Sequence, residues 1–340
     1  MTLKFIMKTL LPTTILLLTA CGESSGDSVS TTTTTTTTVS SDTAPITISS
    51  TNMATISTLA LSSVFDNIGL AVAETFTGVI VEESTQQINI SDTDWIFNQL
   101  NKALDSTDNF TGVITKETEN CLISGSTEFT YDLNDINTIS VNDSITLTST
   151  NCDDGDGITN GSVIFSFTQL TNFIDLDDYS ILGMNISFND YSIELDKTTD
   201  VASVIGDYSI IINKDLFKQE SNITSDKLTI NIPAFQQIIQ NLIIKKIYTE
   251  NTDVETLTVS NLVINDVLGG SFTLTTSEEL VFTSQFISSP SSGVLKVTGA
   301  NDSSIVITVL NTSSVQLDAD FNGDSIIDET RMTRWNDLTF

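Results

Sequence analysis

The chain has 340 residues, with 44 acidic against 13 basic side chains and a formal net charge of −31. Such an excess of carboxylates repels phosphate backbones, so nucleic acid is not an expected partner, and docking on anionic lipid through a basic patch is equally disfavoured. There is no histidine, which removes every Ser-His-Asp or Cys-His triad and every histidine-ligated metal site.

Lys4 and Lys8 form a positive start, and Leu10 to Leu18 a short apolar run. That run is too short to span a bilayer, which needs about 20 residues. Thr19 and Ala20 then precede Cys21, so residues 1–20 read as a signal peptide whose processing site lies before a cysteine. The segment Leu18-Thr19-Ala20-Cys21 resembles the bacterial lipobox. The resemblance implies diacylglyceryl transfer to the Cys21 thiol, cleavage before it and N-acylation, typically with palmitate. Several acyl chains hold a protein to a membrane far better than one. In enteric bacteria an aspartate after the lipidated cysteine retains the protein at the inner membrane. Gly22 stands there, so the resemblance implies the outer membrane, facing either periplasm or cell surface.

Residues 21–45 read as the lipidated cysteine and a disordered tether, with an unbroken Thr31–Thr38 run that cannot bury enough apolar surface to fold. Extended, about 25 residues reach roughly 80 Å. Gly22-Glu23-Ser24-Ser25-Gly26 matches a nucleophile elbow by letters only, since no strand, helix or histidine surrounds it. Residues 46–340 are expected to form the folded domain. A helix is predicted near 52–66, with Met53, Ile56, Leu59, Ala60 and Val64 on one side. A second is predicted over 94–104, with Trp95, Ile96, Leu100 and Leu104 inward and Asp92 or Thr93 as cap. A third candidate runs from Pro233 to about Lys246, with Phe235, Ile239, Leu242 and Ile243 inward, although its isoleucine density also permits a strand. At this spacing all three stripes read as core.

From Cys121 onward the texture becomes period two. Thr127 to Leu133, Ile145-Thr146-Leu147, Ile186-Ser187-Phe188, Phe272-Thr273-Leu274, Ile305 to Val309 and Val315-Gln316-Leu317 alternate apolar with polar residues. Such alternation predicts antiparallel strands with one buried face. Asn142-Asp143, Asn160-Gly161, Asn189-Asp190, Gly269-Gly270, Ser292-Gly293 and Asn301-Asp302 supply the turns. The predicted fold is mainly β (α+β): a large curled antiparallel sheet of serial hairpins, about a dozen strands, with a few N-terminal helices packed on it.

Cys121 and Cys152 remain as an even pair in an oxidising compartment and are expected to form a disulfide. Asp320-Phe321-Asn322-Gly323-Asp324-Ser325-Ile326-Ile327-Asp328 resembles the opening of an EF-hand or dockerin loop. The resemblance would make Asp320, Asn322, Asp324 and Asp328 calcium ligands. It departs at Ser325, where the turn glycine belongs, and at Arg331, where the bidentate carboxylate belongs; Asp318 or Glu329 would have to compensate. Asp153-Asp154-Gly155-Asp156-Gly157 is a shorter acidic loop of the same character. Asp and Gly are also ordinary turn residues, which is the competing reading.

No Walker loop, dinucleotide fingerprint or zinc motif occurs. Trp95 and Trp335 read as core rather than sugar platforms. No catalytic residue is assigned, and an enzyme is not expected. The lipobox, the tether, the cysteine pair around Asp-rich hairpins and the Asp-rich turn before Arg331-Met332-Thr333-Arg334-Trp335 resemble uncharacterised proteobacterial envelope lipoproteins. That group implies no known activity. Periplasmic lipoprotein carriers offer an architectural analogy, in which a curved sheet wraps helices around a greasy cavity. The leading expectation is a non-catalytic structural or interaction lipoprotein with an envelope protein partner. The alternative is a carrier or sensor of a hydrophobic ligand held between curved sheet and helices, and a carboxylate-based hydrolase stands third.

Overall fold

The computed structural model describes residues 43–65 and 115–338, apart from 136–137, 154, 156, 175–177, 195–200, 233–234 and 284–288. The lipobox, the tether as far as residue 42 and the helix predicted over 94–104 lie outside the described residues.

One helix, α1 (Met53–Phe65), precedes fourteen strands. These are β1 (Thr115–Asn120), β2 (Ser124–Asp132), β3 (Ser144–Asp153), β4 (Ile158–Thr171), β5 (Ile181–Glu194), β6 (Val201–Lys214), β7 (Lys218–Ile232), β8 (Phe235–Thr249), β9 (Val254–Asn265), β10 (Gly270–Phe282), β11 (Ser292–Thr298), β12 (Ser304–Asn311), β13 (Ser314–Asp320) and β14 (Glu329–Arg334). Each pairs antiparallel with the next, in one sheet whose order is the order of the sequence. The expected curl is corrected here: the ladder is open, running from β1 to β14 without joining the two. Of the N-terminal helices expected, the one near 52–66 is α1, the one α-helix among the described residues, and the one over 94–104 lies outside them.

Alternation builds the core. In β9 the inward positions Leu257, Val259 and Val263 are buried while Thr256, Thr258 and Ser260 are not. The same beat continues through Phe129 and Tyr131, Val163 and Phe165, Leu295 and Val297, Ile305 and Ile307, and Val315 and Leu317, all in one cluster with α1. Residues 56–61 of α1 are buried without interruption, so the helix presents no solvent face there, as expected of an element enclosed on all sides. It touches β9 and β12. The segment before it is pinned by backbone bonds, Ile46 N–H to Ser271 O (2.8 Å), Ser271 N–H to Ala44 O (3.1 Å) and Ala300 N–H to Ile46 O (2.7 Å). Trp335 closes the chain, buried, with its indole N–H donating to Asn311 O at 3.3 Å.

The third predicted helix is a strand, β8. Its misleading spacing has a local cause. A register shift separates Gln240 from Ile243, and Asn241 takes a left-handed φ of 52°. The extra residue of this bulge moves the inward phase from Ile239 to Leu242 and on to Ile244. A strand thereby shows a spacing of three, which reads as helical period. Similar shifts fall on neighbouring ladders, at Asn160/Ser162, Phe188/Tyr191 and Gly206/Ser209. There Gly161, Asp190 and Gly206 take the positive φ, residue types that tolerate it.

Both terminal strands end the apolar face with charge. Glu117 pairs opposite the buried Phe129, and Arg331 opposite the buried Leu317. Charges at inward positions deter further strands from adding to an edge.

Asn241 generates a test of the bulge. Asn241→Val is expected to lower stability by about 1–2 kcal/mol, the cost of a branched residue in the left-handed region, whereas Asn241→Gly stays near wild type. Denaturant titration of both variants measures the difference.

Candidate functional site

The loop that resembles a calcium site joins β13 to β14 and is organised by its own backbone. Asp320, buried at the end of β13, accepts N–H bonds from Asn322 (3.2 Å) and Gly323 (2.7 Å) on Oδ1 and from Ser325 (2.8 Å) on Oδ2. Burial works against its charge, but the backbone N–H groups of Ser325, Gly323, Asn322 and Asp324 outweigh it and hold the carboxyl below its ordinary value. Asn322 Oδ1 accepts from Asp324 N–H (2.9 Å), Asp324 Oδ1 from Ile326 N–H (2.8 Å), and Asp328 Oδ2 from Phe321 N–H (2.7 Å). Ser325 takes φ 67°, the left-handed conformation for which glycine stands in the calcium-loop pattern.

At least one side-chain oxygen of each of the four expected ligands therefore serves a backbone donor. The residues that would have to compensate are also engaged. Asp318 accepts from Thr330 Oγ1 at 2.6 Å and from Gln316 Nε2 at 2.7 Å, and Glu329 pairs with Arg331 at 2.7 Å. Among the described residues no three His, Cys, Asp or Glu side chains converge as a metal group. In the shorter acidic loop Asp153 Oδ1 accepts from Gly155 N–H (2.9 Å); Asp154 and Asp156 lie outside the described residues. Ile326 and Ile327 are both exposed, beside the equally exposed Asn322, Asp324 and Asp328.

Cys121 and Cys152 are bonded as a disulfide, with their Cα atoms 5.4 Å apart. The bond carries a particular burden because β1, Thr-Lys-Glu-Thr-Glu-Asn, has no apolar side chain to bury. Its other holds are the backbone ladder to β2 and an exposed Lys116–Glu128 ion pair at 2.7 Å, a kind of pair that contributes little in water. Thr127 Oγ1 donates to Cys152 Sγ at 3.4 Å beneath the bridge. Cys21, the expected lipidation residue, lies outside the described residues.

One organising carboxylate went unread at the level of sequence. Asp143 is fully buried and accepts four bonds, from Asn134 N–H (2.8 Å) and Nδ2 (2.6 Å) on Oδ1 and from Ser140 N–H (2.7 Å) and Oγ (2.9 Å) on Oδ2. Its own carbonyl accepts from Phe167 N–H at 2.9 Å, tying the β2–β3 connection to β4. The Asn142-Asp143 dipeptide signalled a turn, and nothing in it signalled burial. The interior also holds polar atoms without a hydrogen-bond partner among the described residues: both amide atoms of Gln237 and of Asn261, the Asn265 amide nitrogen, Ser57 Oγ and Tyr208 Oη. Burial pushes the Tyr208 hydroxyl far above its ordinary titration range.

No family model matches the chain, and no curated protein or solved structure matches it either.

Two outcomes follow from the geometry. Replacing both Cys121 and Cys152 by serine releases a loop of 31 residues. The expected loss is about 3–4 kcal/mol, with hydrogen-exchange protection lost first in β1, read by denaturant titration and exchange mass spectrometry. Asp320, held below the unfolded carboxyl value, contributes stability above that value and loses it as pH falls through the folded one. Asp320→Asn should therefore flatten the acid limb of the stability–pH curve below about pH 4, as melting temperatures across pH 2–7 would show.

Proposed function

We propose that the chain is an outer-membrane-anchored lipoprotein with a non-catalytic structural or interaction role. The observation that carries this reading is Cys21, placed after Thr19-Ala20 at the end of a short apolar run that two lysines precede. The chain lacks histidine, and the carboxylates of the β13–β14 loop are engaged in holding backbone, which supports a scaffold more than a reaction centre. Gly22 after the cysteine supports the outer membrane. An acidic surface with an internally satisfied loop suits a domain displayed from lipid toward an envelope protein partner.

The deciding measurement is the mass of the N-terminal peptide of the chain purified from bacterial envelopes. A peptide that begins at Cys21 and carries acyl chains, with Cys21→Ser abolishing both acylation and recovery in the outer-membrane fraction, is the expected result. An unmodified peptide cleaved elsewhere overturns the reading. The same preparation, extracted with organic solvent, tests the alternative of a hydrophobic-ligand carrier: a stoichiometric lipid beyond the N-terminal acyl groups would displace the scaffold reading.

A further inference from the structure

The two strands that end the ladder differ in sign. Both arginines of the chain, Arg331 and Arg334, stand on β14, Glu-Thr-Arg-Met-Thr-Arg, in a protein of net charge −31. β1, Thr-Lys-Glu-Thr-Glu-Asn, carries two glutamates against one lysine. Lys116 is turned to Glu128 at 2.7 Å, whereas Glu117 and Glu119 make no ion pair among the described residues. Among those residues each strand is paired on one side only, β1 with β2 and β14 with β13.

Register places the backbone groups of the two edges. Cys121 N–H donates to Gly125 O and Trp335 N–H to Ser313 O, both at 3.2 Å and both in line with the pairing of the adjoining strands. Hydrogen-bonded pairs alternate with non-hydrogen-bonded ones along an antiparallel ladder. Glu117 and Glu119 therefore direct their N–H and C=O to β2, and Arg331 and Thr333 direct theirs to β13. Lys116, Thr118 and Asn120, like Thr330 and Met332, turn theirs away from the sheet. Met332 is 59% exposed and lies between the two arginines, and both residue types are enriched where proteins meet.

We infer that the β14 edge of one copy takes the β1 edge of a second copy, head to tail, as the next antiparallel strand of a shared sheet. Fourteen alternating strands leave β14 running opposite to β1, so a second copy in the same orientation continues the ladder without a crossover. Pairing the whole of β1 in this phase sets Thr330 opposite Asn120 and Met332 opposite Thr118 of the second copy as hydrogen-bonded pairs. Arg331 then stands opposite Glu119, with Glu117 as its diagonal neighbour, all on the inward face. Arg331 already holds Glu329 at 2.7 Å, and its guanidinium has donors left for a second carboxylate.

The inward charges thereby select rather than merely deter. Two β14 edges would set arginine against arginine and two β1 edges glutamate against glutamate, while the unlike pair is complementary. Repulsion between two acidic chains is screened beyond about 8 Å at physiological salt, so the sign of the surfaces in contact decides. Because unlike edges meet, each addition leaves one of either kind free, and the contact propagates into rows instead of closing at a dimer. The inference goes beyond the proposed role and does not require the anchor at Cys21.

The test is sedimentation equilibrium of the full-length chain in a nonionic detergent matched in density to the solvent, so that protein mass alone is read. One strand pair buries little area, so association is expected between about 0.1 and 1 mM, with a mass that climbs past the dimer. Arg331→Glu and Glu119→Arg change the net charge in opposite directions, yet each is expected to weaken association about tenfold or more. The double variant, with the pair inverted and the wild-type net charge, is expected to return to within about threefold of wild type. Lys227→Glu, the same charge change on an exposed lysine of β7, is expected to leave the mass curve unchanged. Hydrogen exchange of the wild-type chain at both ends of the concentration range should show protection gained in β1 and β14. A mass that stays monomeric, association that survives both single reversals as shared micelles would give, or protection gained elsewhere overturns the inference. The mass of the N-terminal peptide, read on the same preparation, decides the anchor separately, and the equilibrium is measured on acylated or unacylated chain alike.

Discussion

The structure depends on one constraint: each strand is apolar on one face only, and each finds its partner in the next segment of chain. Thirteen successive antiparallel pairings follow without a crossover, so every inward row of β9 and its neighbours can join a single cluster that reaches α1. Burial of that face is what offsets the entropy of ordering so many residues. Where the face stops, charge stops it, at Glu117 on one terminal strand and Arg331 on the other.

Carboxylates are the chain's commonest charged groups, and the described ones with the fullest hydrogen bonding serve architecture. Asp143 accepts four bonds inside a strand connection, and Asp320 gathers the backbone of a loop that by letters resembles a calcium site. The same composition that gives the surface its charge thus supplies acceptors for turns, alongside asparagines such as Asn52, Asn265 and Asn311. These roles bear on function through what they leave outside. A loop closed by its own aspartates displays isoleucines, and a turn closed by a disulfide displays Leu122 and Ile123.

How much of this was legible beforehand differs by element. The alternation in Thr127 to Leu133 and in Ile305 to Val309 announces strands because side chains on a pleated backbone change face at every residue. The helix at Met53–Phe65 is announced by Met53, Ile56, Leu59 and Ala60, one stripe of a period near 3.6. The segment after Pro233 misled, because the bulge at Asn241 imitates that period within a strand. The loop at Asp320 was legible as a motif and not as a geometry, since letter spacing does not say whether an oxygen faces a cation or an N–H.

By itself the sequence determined the antiparallel strands and their succession as hairpins, the exclusion of histidine chemistry and the case for an anchor at Cys21, all of which follow from local pattern and composition. Tertiary structure alone decided that the sheet is open, that β8 is a strand and that Asp143 is buried. Each of these depends on which distant segments meet, and pairing between segments is a property of the whole ladder that no single stretch of sequence contains.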